Sequence, residues 1–176
     1  MKGNSAVVQH LNKLLANEQS AYNQYLLNSQ LLKNWGLEKL GATERDEALE
    51  EIGHAEQLIQ RILYLEGTPK MEGGAAAQVT GDVKEVLERN LELEKTGIED
   101  LREGIAASER AADWVSRELM IKILADEEQH EDHLITQLEL IKKIGLENYM
   151  VAHLYAVRTG PARPAALPKE HLSGPV

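Results

Sequence analysis

Four glutamates recur in this chain at intervals that repeat. Glu18 and Glu51 are 51 − 18 = 33 residues apart, and Glu94 and Glu127 are 127 − 94 = 33 apart. The second pair copies the first at a fixed offset, since 94 − 18 = 76 and 127 − 51 = 76. Glu51 and Glu127 each have a histidine three residues on, His54 and His130, and 130 − 54 is again 76. On an α-helix, residues i and i+3 share one face about 4.5 Å apart along the axis. Each Glu–His pair can therefore reach a single ion. The Glu-x-x-His spacing is weak by itself in so acidic a chain. Its force comes from where the residues fall.

Each glutamate interrupts an apolar seam of helical period. Residues 5–35 carry the seam Leu11, Leu15, Tyr22, Tyr25, Ser29 and Leu32, with Glu18 inside it and Gly36 as the stop. Residues 38–66 repeat it through Ala48, Ala55, Leu58, Ile62 and Leu65, ending at Gly67 with Pro69 close behind. Residues 82–109 run through Val83, Leu87, Asn90, Ile98, Leu101 and Ile105, with Asp82 as N-cap and Glu85 three residues on. Residues 113–144 run through Met120, Ile123, Leu134, Leu138 and Ile141 and stop at Gly145. A fifth, short helix is expected from Leu146 to Val157, and no segment alternates as a strand would. A very short turn joins the first two helices and another the last two, while the Gly/Ala-rich stretch Thr68–Gly81 is long enough to cross the length of a bundle. These features predict an all-α fold: a four-helix bundle of two hairpins with one long crossover and a short C-terminal fifth helix. The bundle domain is expected over 1–157. Pro161, Pro164, Pro168 and Pro175 mark 158–176 as a Pro-rich flexible or partner-ordered tail.

Four carboxylates in an apolar interior carry a charge of −4, and burying them uncompensated is very costly. Two divalent cations cancel that charge. Carboxylate plus imidazole suits hard to borderline ions such as Fe(II) or Mn(II). The rest of the composition agrees with a cation-handling protein. Lys plus Arg is 19 against 29 Asp plus Glu, a net charge of −10, which argues against nucleic-acid binding. There is no Cys, so disulfide, thiolate and zinc-finger chemistry are excluded. No run is apolar enough to span a membrane, and the N-terminus lacks the pattern of a signal peptide, so a cytoplasmic location is expected. With no Phe and 4% aromatics, the core must be aliphatic.

The segments MKG at the start, LNKLLANE, NQY, LKNWGLEKL, RILYLEG, DEEQHEDHL and KIGLENY are similar, in order and spacing, to segments of the bacterioferritins, which are ferritin-like proteins. The resemblance covers roughly residues 1–157. It implies a di-iron ferroxidase centre with two iron ions per subunit. Glu51 and Glu127 would bridge the irons, Glu18 with His54 and Glu94 with His130 would be terminal ligands, and Tyr25 would stand beside the centre. It further implies a shell of 24 subunits that stores iron, with Asn34, Glu66, Asp132 and Glu139 at polar positions lining an iron-entry pore between subunits.

In one place the chain departs from the family. Bacterioferritins ligate haem b between two subunits through a Met directly after the first bridging Glu, and here that residue is Ile52, which has no lone pair to offer. Two readings follow: a haem-free homo-oligomer, or a shell co-assembled with a second, haem-ligating bacterioferritin subunit. Whether the oxidant is dioxygen or hydrogen peroxide stays open. So does a small di-iron oxidase or peroxide scavenger on the same bundle, without storage. Glu128 points about 100° away from Glu127 and reads as a neighbouring polar residue. His133 is a candidate neighbour of the centre. His10, His153 and His171 lack ligand spacing.

Overall fold

A computed structural model describes residues 2–72 and 74–154. Helix α1 spans Ser5–Asn34, α2 Glu38–Tyr64, α3 Val83–Arg110, α4 Trp114–Ile144 and α5 Leu146–His153, and no strand forms among the described residues. Residues 155–157 of the expected fifth helix and the expected tail 158–176 lie outside the described residues. Among those described, no helix is long and apolar enough to cross a membrane.

Local chemistry sets the boundaries. The Asn4 side chain accepts from Ala6 N–H at the start of α1, Asp82 from Glu85 N–H at the start of α3, and Asp113 from Ser116 N–H at the start of α4. Glu85 closes the α3 cap by accepting from Gly81 N–H at 2.6 Å. Three helices end in the same paired hydrogen-bond motif, with a left-handed residue after the cap. After α1 that residue is Gly36 (φ 85°), as its sequence suggests, but after α3 it is Ala112 (φ 53°).

The end of α2 departs from expectation. The helix stops at Tyr64, and Glu66 rather than Gly67 takes the left-handed conformation, at φ 58°. Gly67 N–H donates back to Ile62 C=O at 2.9 Å, and a Cβ on Gly67 would lie 2.7 Å from Val8 Cγ1. This glycine serves close packing on α1 rather than the turn.

Helix α1 packs on α2 and α3, and α3 packs on α4. The crossover is pinned along α1. Asn12 accepts from Lys70 N–H (2.7 Å) and donates to Thr68 C=O (3.2 Å), Ser20 Oγ accepts from Ala75 N–H (2.7 Å), and Gln24 exchanges two bonds with the Gln78 backbone (2.8 and 2.9 Å). The chain thus returns alongside α1 to the end where α2 began, which makes α2 and α3 parallel.

Two aliphatic clusters fill the ends of the bundle. Leu11, Leu15, Leu58, Ile62, Leu101 and Ile123 anchor one; Leu32, Val86, Leu87, Leu134, Ile141 and Tyr149 anchor the other. Between them the interior turns polar, with Glu18, Glu51, His54, Glu94 and Glu127 all buried, and beside them a second layer of Gln24, Asn28, Glu44 and Asn90. The small side chains Ala21 and Ala48 leave room for these layers. Every seam glutamate thus faces inward, as the periodicity predicts.

The α1–α2 hairpin closes tightly at Gly41, whose C=O accepts from Ser29 Oγ at 2.6 Å and whose added Cβ would meet Ser29 O at 2.8 Å and Lys33 Cγ at 2.6 Å. Gly41→Ala must push the helices apart, and overpacking of this kind costs about 1–3 kcal/mol. The expected result is a lower urea midpoint with an unchanged slope.

Candidate metal centre

Four helices each supply one carboxylate to the middle of the bundle. Seven-residue steps from these positions reach the buried Leu11 and Tyr25 on α1, Leu58 on α2, Leu87 and Leu101 on α3, and Met120 and Leu134 on α4, so packing holds each glutamate in the seam. Two groups of ligand atoms result, each drawn together within 4.8 Å: Glu18, Glu51, His54 and Glu127, and Glu51, Glu94, Glu127 and His130. Glu51 and Glu127 belong to both. The structure therefore brings together all six residues of the expected ligand set, and the two carboxylates common to both groups are those expected to bridge.

The histidines are aimed. His54 Nδ1 lies 3.2 Å from Glu127, 3.5 Å from Glu18 and 3.5 Å from Glu51, and His130 Nδ1 lies 3.6 Å from Glu127. Their other ring nitrogens turn outward to carboxylates: His54 Nε2 to Asp126 at 3.4 Å, and His130 Nε2 to Glu47 at 2.9 Å and Glu50 at 3.6 Å. An imidazole whose far nitrogen is held by a carboxylate presents its near nitrogen, oriented and more basic, to a metal. Tyr25 is buried, and its hydroxyl donates to Glu94 Oε1.

Both Glu51 oxygens and the Nδ1 atoms of His54 and His130 are buried and make no hydrogen bond. Such orphaned polar atoms are rare, and here they converge. The carboxylates line a cavity of about 160 Å³ together with Asn17 and Thr96. An oxygen-and-nitrogen donor set of this kind, unsatisfied and inward-facing, fits a pair of divalent ions.

Charge in this interior is rationed by protons. Burial pushes Glu51 and Glu94 well above the usual carboxylate range, and the neighbouring glutamates add to it. Glu127 goes the other way: the close approach of the His130 and His54 rings outweighs its burial and holds it low. Burial opposes the charged form of both histidines, but the carboxylates win. His130 is held up at about 11 by Glu127 and Glu47, and His54 is raised by Glu127, Glu18 and Glu51.

A family profile for the ferritin-like domain matches residues 8–144. A bacterioferritin of Brucella melitensis is 42% identical over 149 residues, covering 85% of this chain and 92% of its own. A bacterial ferritin of Synechocystis is 43% identical over 155 residues, covering 88% and 99%. A Mycobacterium tuberculosis bacterioferritin is 39% identical over 149 residues, covering 85% and 94%. The chain is a bacterioferritin of the ferritin-like superfamily.

Within this bacterioferritin, three residues around the centre escape the Glu-x-x-His pattern: Glu47, Glu50 and Asp126. Two of them were within reach, because 126 − 50 = 76 is the same repeat offset as the ligands. Asn34, Glu66, Asp132 and Glu139 are all exposed, and Glu139 pairs with Lys142 at 2.6 Å; a single chain does not gather them. His133 is exposed, and Glu128 pairs with Arg102 at 2.8 Å. Ile52 lies, half-buried, in an outer groove of about 580 Å³ with Tyr22, Ile59 and Met71, and offers no donor atom for haem iron.

The directions of these shifts set how metal binding at this site would depend on pH. Proton affinity is raised at Glu51, Glu94, His54 and His130, and a group must give up its proton to become a metal ligand. Loading Zn(II) at pH 7 should release protons, and affinity should rise with pH. Titration calorimetry in buffers of different ionisation enthalpy reads the proton count.

Proposed function

We propose that this chain is an iron-storage subunit that oxidises Fe(II) at a di-iron ferroxidase centre. The observation that carries the reading is the pair of buried four-residue groups sharing Glu51 and Glu127. Supporting it are the orphaned inward-facing donors and the family to which the chain belongs, whose named relatives are bacterioferritins and bacterial ferritins.

Fe(II) is the substrate. Glu18, Glu51, His54 and Glu127 hold one ion, and Glu51, Glu94, Glu127 and His130 the other. Four carboxylates neutralise the two ions and favour the higher charge of Fe(III), which eases electron loss to dioxygen or hydrogen peroxide. Glu47, Glu50 and Asp126 keep the imidazoles turned inward, and Tyr25 fixes the Glu94 carboxylate. Product Fe(III) is stored as hydrated oxide inside a shell of 24 copies, with Asn34, Glu66, Asp132 and Glu139 of adjoining subunits lining entry pores. The bundle of 1–157 forms the wall and 158–176 a separate Pro-rich tail, in a cytoplasmic assembly.

Glu18→Ala removes one terminal ligand and a buried negative charge. Initial Fe(II) oxidation should slow at least about tenfold, while the helical circular-dichroism signal is retained. An unchanged rate contradicts the ligand set.

Ile52 favours a narrower statement about haem. Shells built of this chain alone carry none, and any haem in a mixed shell is ligated by a second subunit type. Purified homo-oligomer should lack a Soret band after reconstitution with haem, and Ile52→Met should create one. A stoichiometric Soret band in the unaltered shell contradicts this.

A further inference from the structure

Glu44 is a buried carboxylate that the metal centre does not use. It is 5% exposed, and it precedes Glu51 by seven residues on α2, which places it two turns, about 10.5 Å, along the same face. Ala48, fully buried, is what α2 puts between them. Its oxygens accept from amides: from Asn90 Nδ2 at 2.9 and 3.0 Å, and from Asn28 Nδ2 at 3.3 Å. Those amides are themselves fixed, since Gln24 Nε2 donates to Asn28 Oδ1 at 2.9 Å and Asn28 Nδ2 to Asn90 Oδ1 at 2.8 Å. Among the described residues no cation pairs with Glu44.

Burial pushes this carboxyl up to about 7, with Glu47 acting in the same direction and the Asn90 and Asn28 amides opposing. The titratable groups around it are Glu47 on its own helix, Tyr25 on α1 and Tyr149 on α5; α3 presents Asn90, and α4 contributes no charge. A carboxyl in this setting is balanced between its two forms, and a nearby change of charge decides which prevails. With Fe(II) in both positions of the centre, four carboxylates match four positive charges. Oxidation leaves two positive charges in excess. At an effective dielectric of about 20, a unit charge about 10 Å away changes an ionisation equilibrium roughly tenfold.

We propose that Glu44 is the charge-compensating residue of the centre: its carboxyl keeps its proton while the irons are Fe(II) and releases it to water when they are oxidised, the anion then resting on the Asn28 and Asn90 amides. This rests on the iron-oxidising reading above. Each Fe(II) gives one electron, dioxygen takes the two electrons and two protons to form hydrogen peroxide, and Glu44 returns one proton to the solvent that supplies them. Glu44 touches neither iron nor oxidant, and so acts by position.

Infrared difference spectroscopy of assembled protein tests this. Spectra of the unaltered chain and Glu44→Gln are compared metal-free, after two Zn(II) per chain, and after two Fe(II) per chain followed by oxygen, at about pH 6.5. Carboxylates that coordinate Zn(II) are ionised, so a protonated-carboxyl C=O stretch that survives Zn(II) and is lost in Glu44→Gln belongs to Glu44. It should be absent from Glu44→Gln, persist with Zn(II), and vanish on Fe(II) oxidation, its pH midpoint falling by an amount equivalent to at least a tenfold loss of proton affinity. A band that survives oxidation unshifted overturns the proposal, as does the lack of any such band in the Zn(II) form. Should Glu44→Gln not fold, Glu44→Asp must shift the band. Failure of the underlying reading shows separately, as a metal count below two per chain, and removes this inference with it.

Discussion

Four negative charges have to be carried inside an apolar bundle, and the rest of the structure is arranged around that constraint. An uncompensated carboxylate in a dry interior is among the most costly features a fold can contain. Here burial raises the proton affinity of Glu51 and Glu94, the carboxylates raise that of His54 and His130, and the two imidazoles hold Glu127 low. Protons and divalent cations are alternative ways to offset the same charge. The candidate donors are brought together by the packing of the chain itself.

The packing follows from the same constraint. The aliphatic core is divided into two end clusters so that a polar waist can lie between them, and Ala21 and Ala48 give up volume at the waist. The backbones of α2 and α4 approach each other at few points, and the space between these helices belongs to Glu51, His54, Glu127 and His130. The end clusters stabilise the bundle; the waist detracts from that stability and gathers the candidate metal ligands.

Much of this was legible in the residues because it repeats. The 76-residue offset ties the two hairpins together, and helical period alone turns Glu18, Glu51, Glu94 and Glu127 inward. Less legible were features that depend on tertiary contact. Glu66 rather than Gly67 turns the chain after α2, because Gly67 is needed where Val8 presses close. Glu47 reads as a surface charge until His130 is seen 2.9 Å away. Glu44 reads the same way, and only the cradle of Asn28 and Asn90, drawn from two other helices, reveals it as part of the interior. Asp126 and Glu50 fall between the two cases, since they share the repeat but not the motif.

The most direct test is anomalous diffraction from a crystal of the full chain soaked anaerobically in Fe(II), with data at the iron edge. The account predicts two peaks in each chain a few ångströms apart, one among Glu18, Glu51, His54 and Glu127 and the other among Glu51, Glu94, Glu127 and His130. A single peak, or iron held only on the outward side by Glu47 and Glu50, would contradict it.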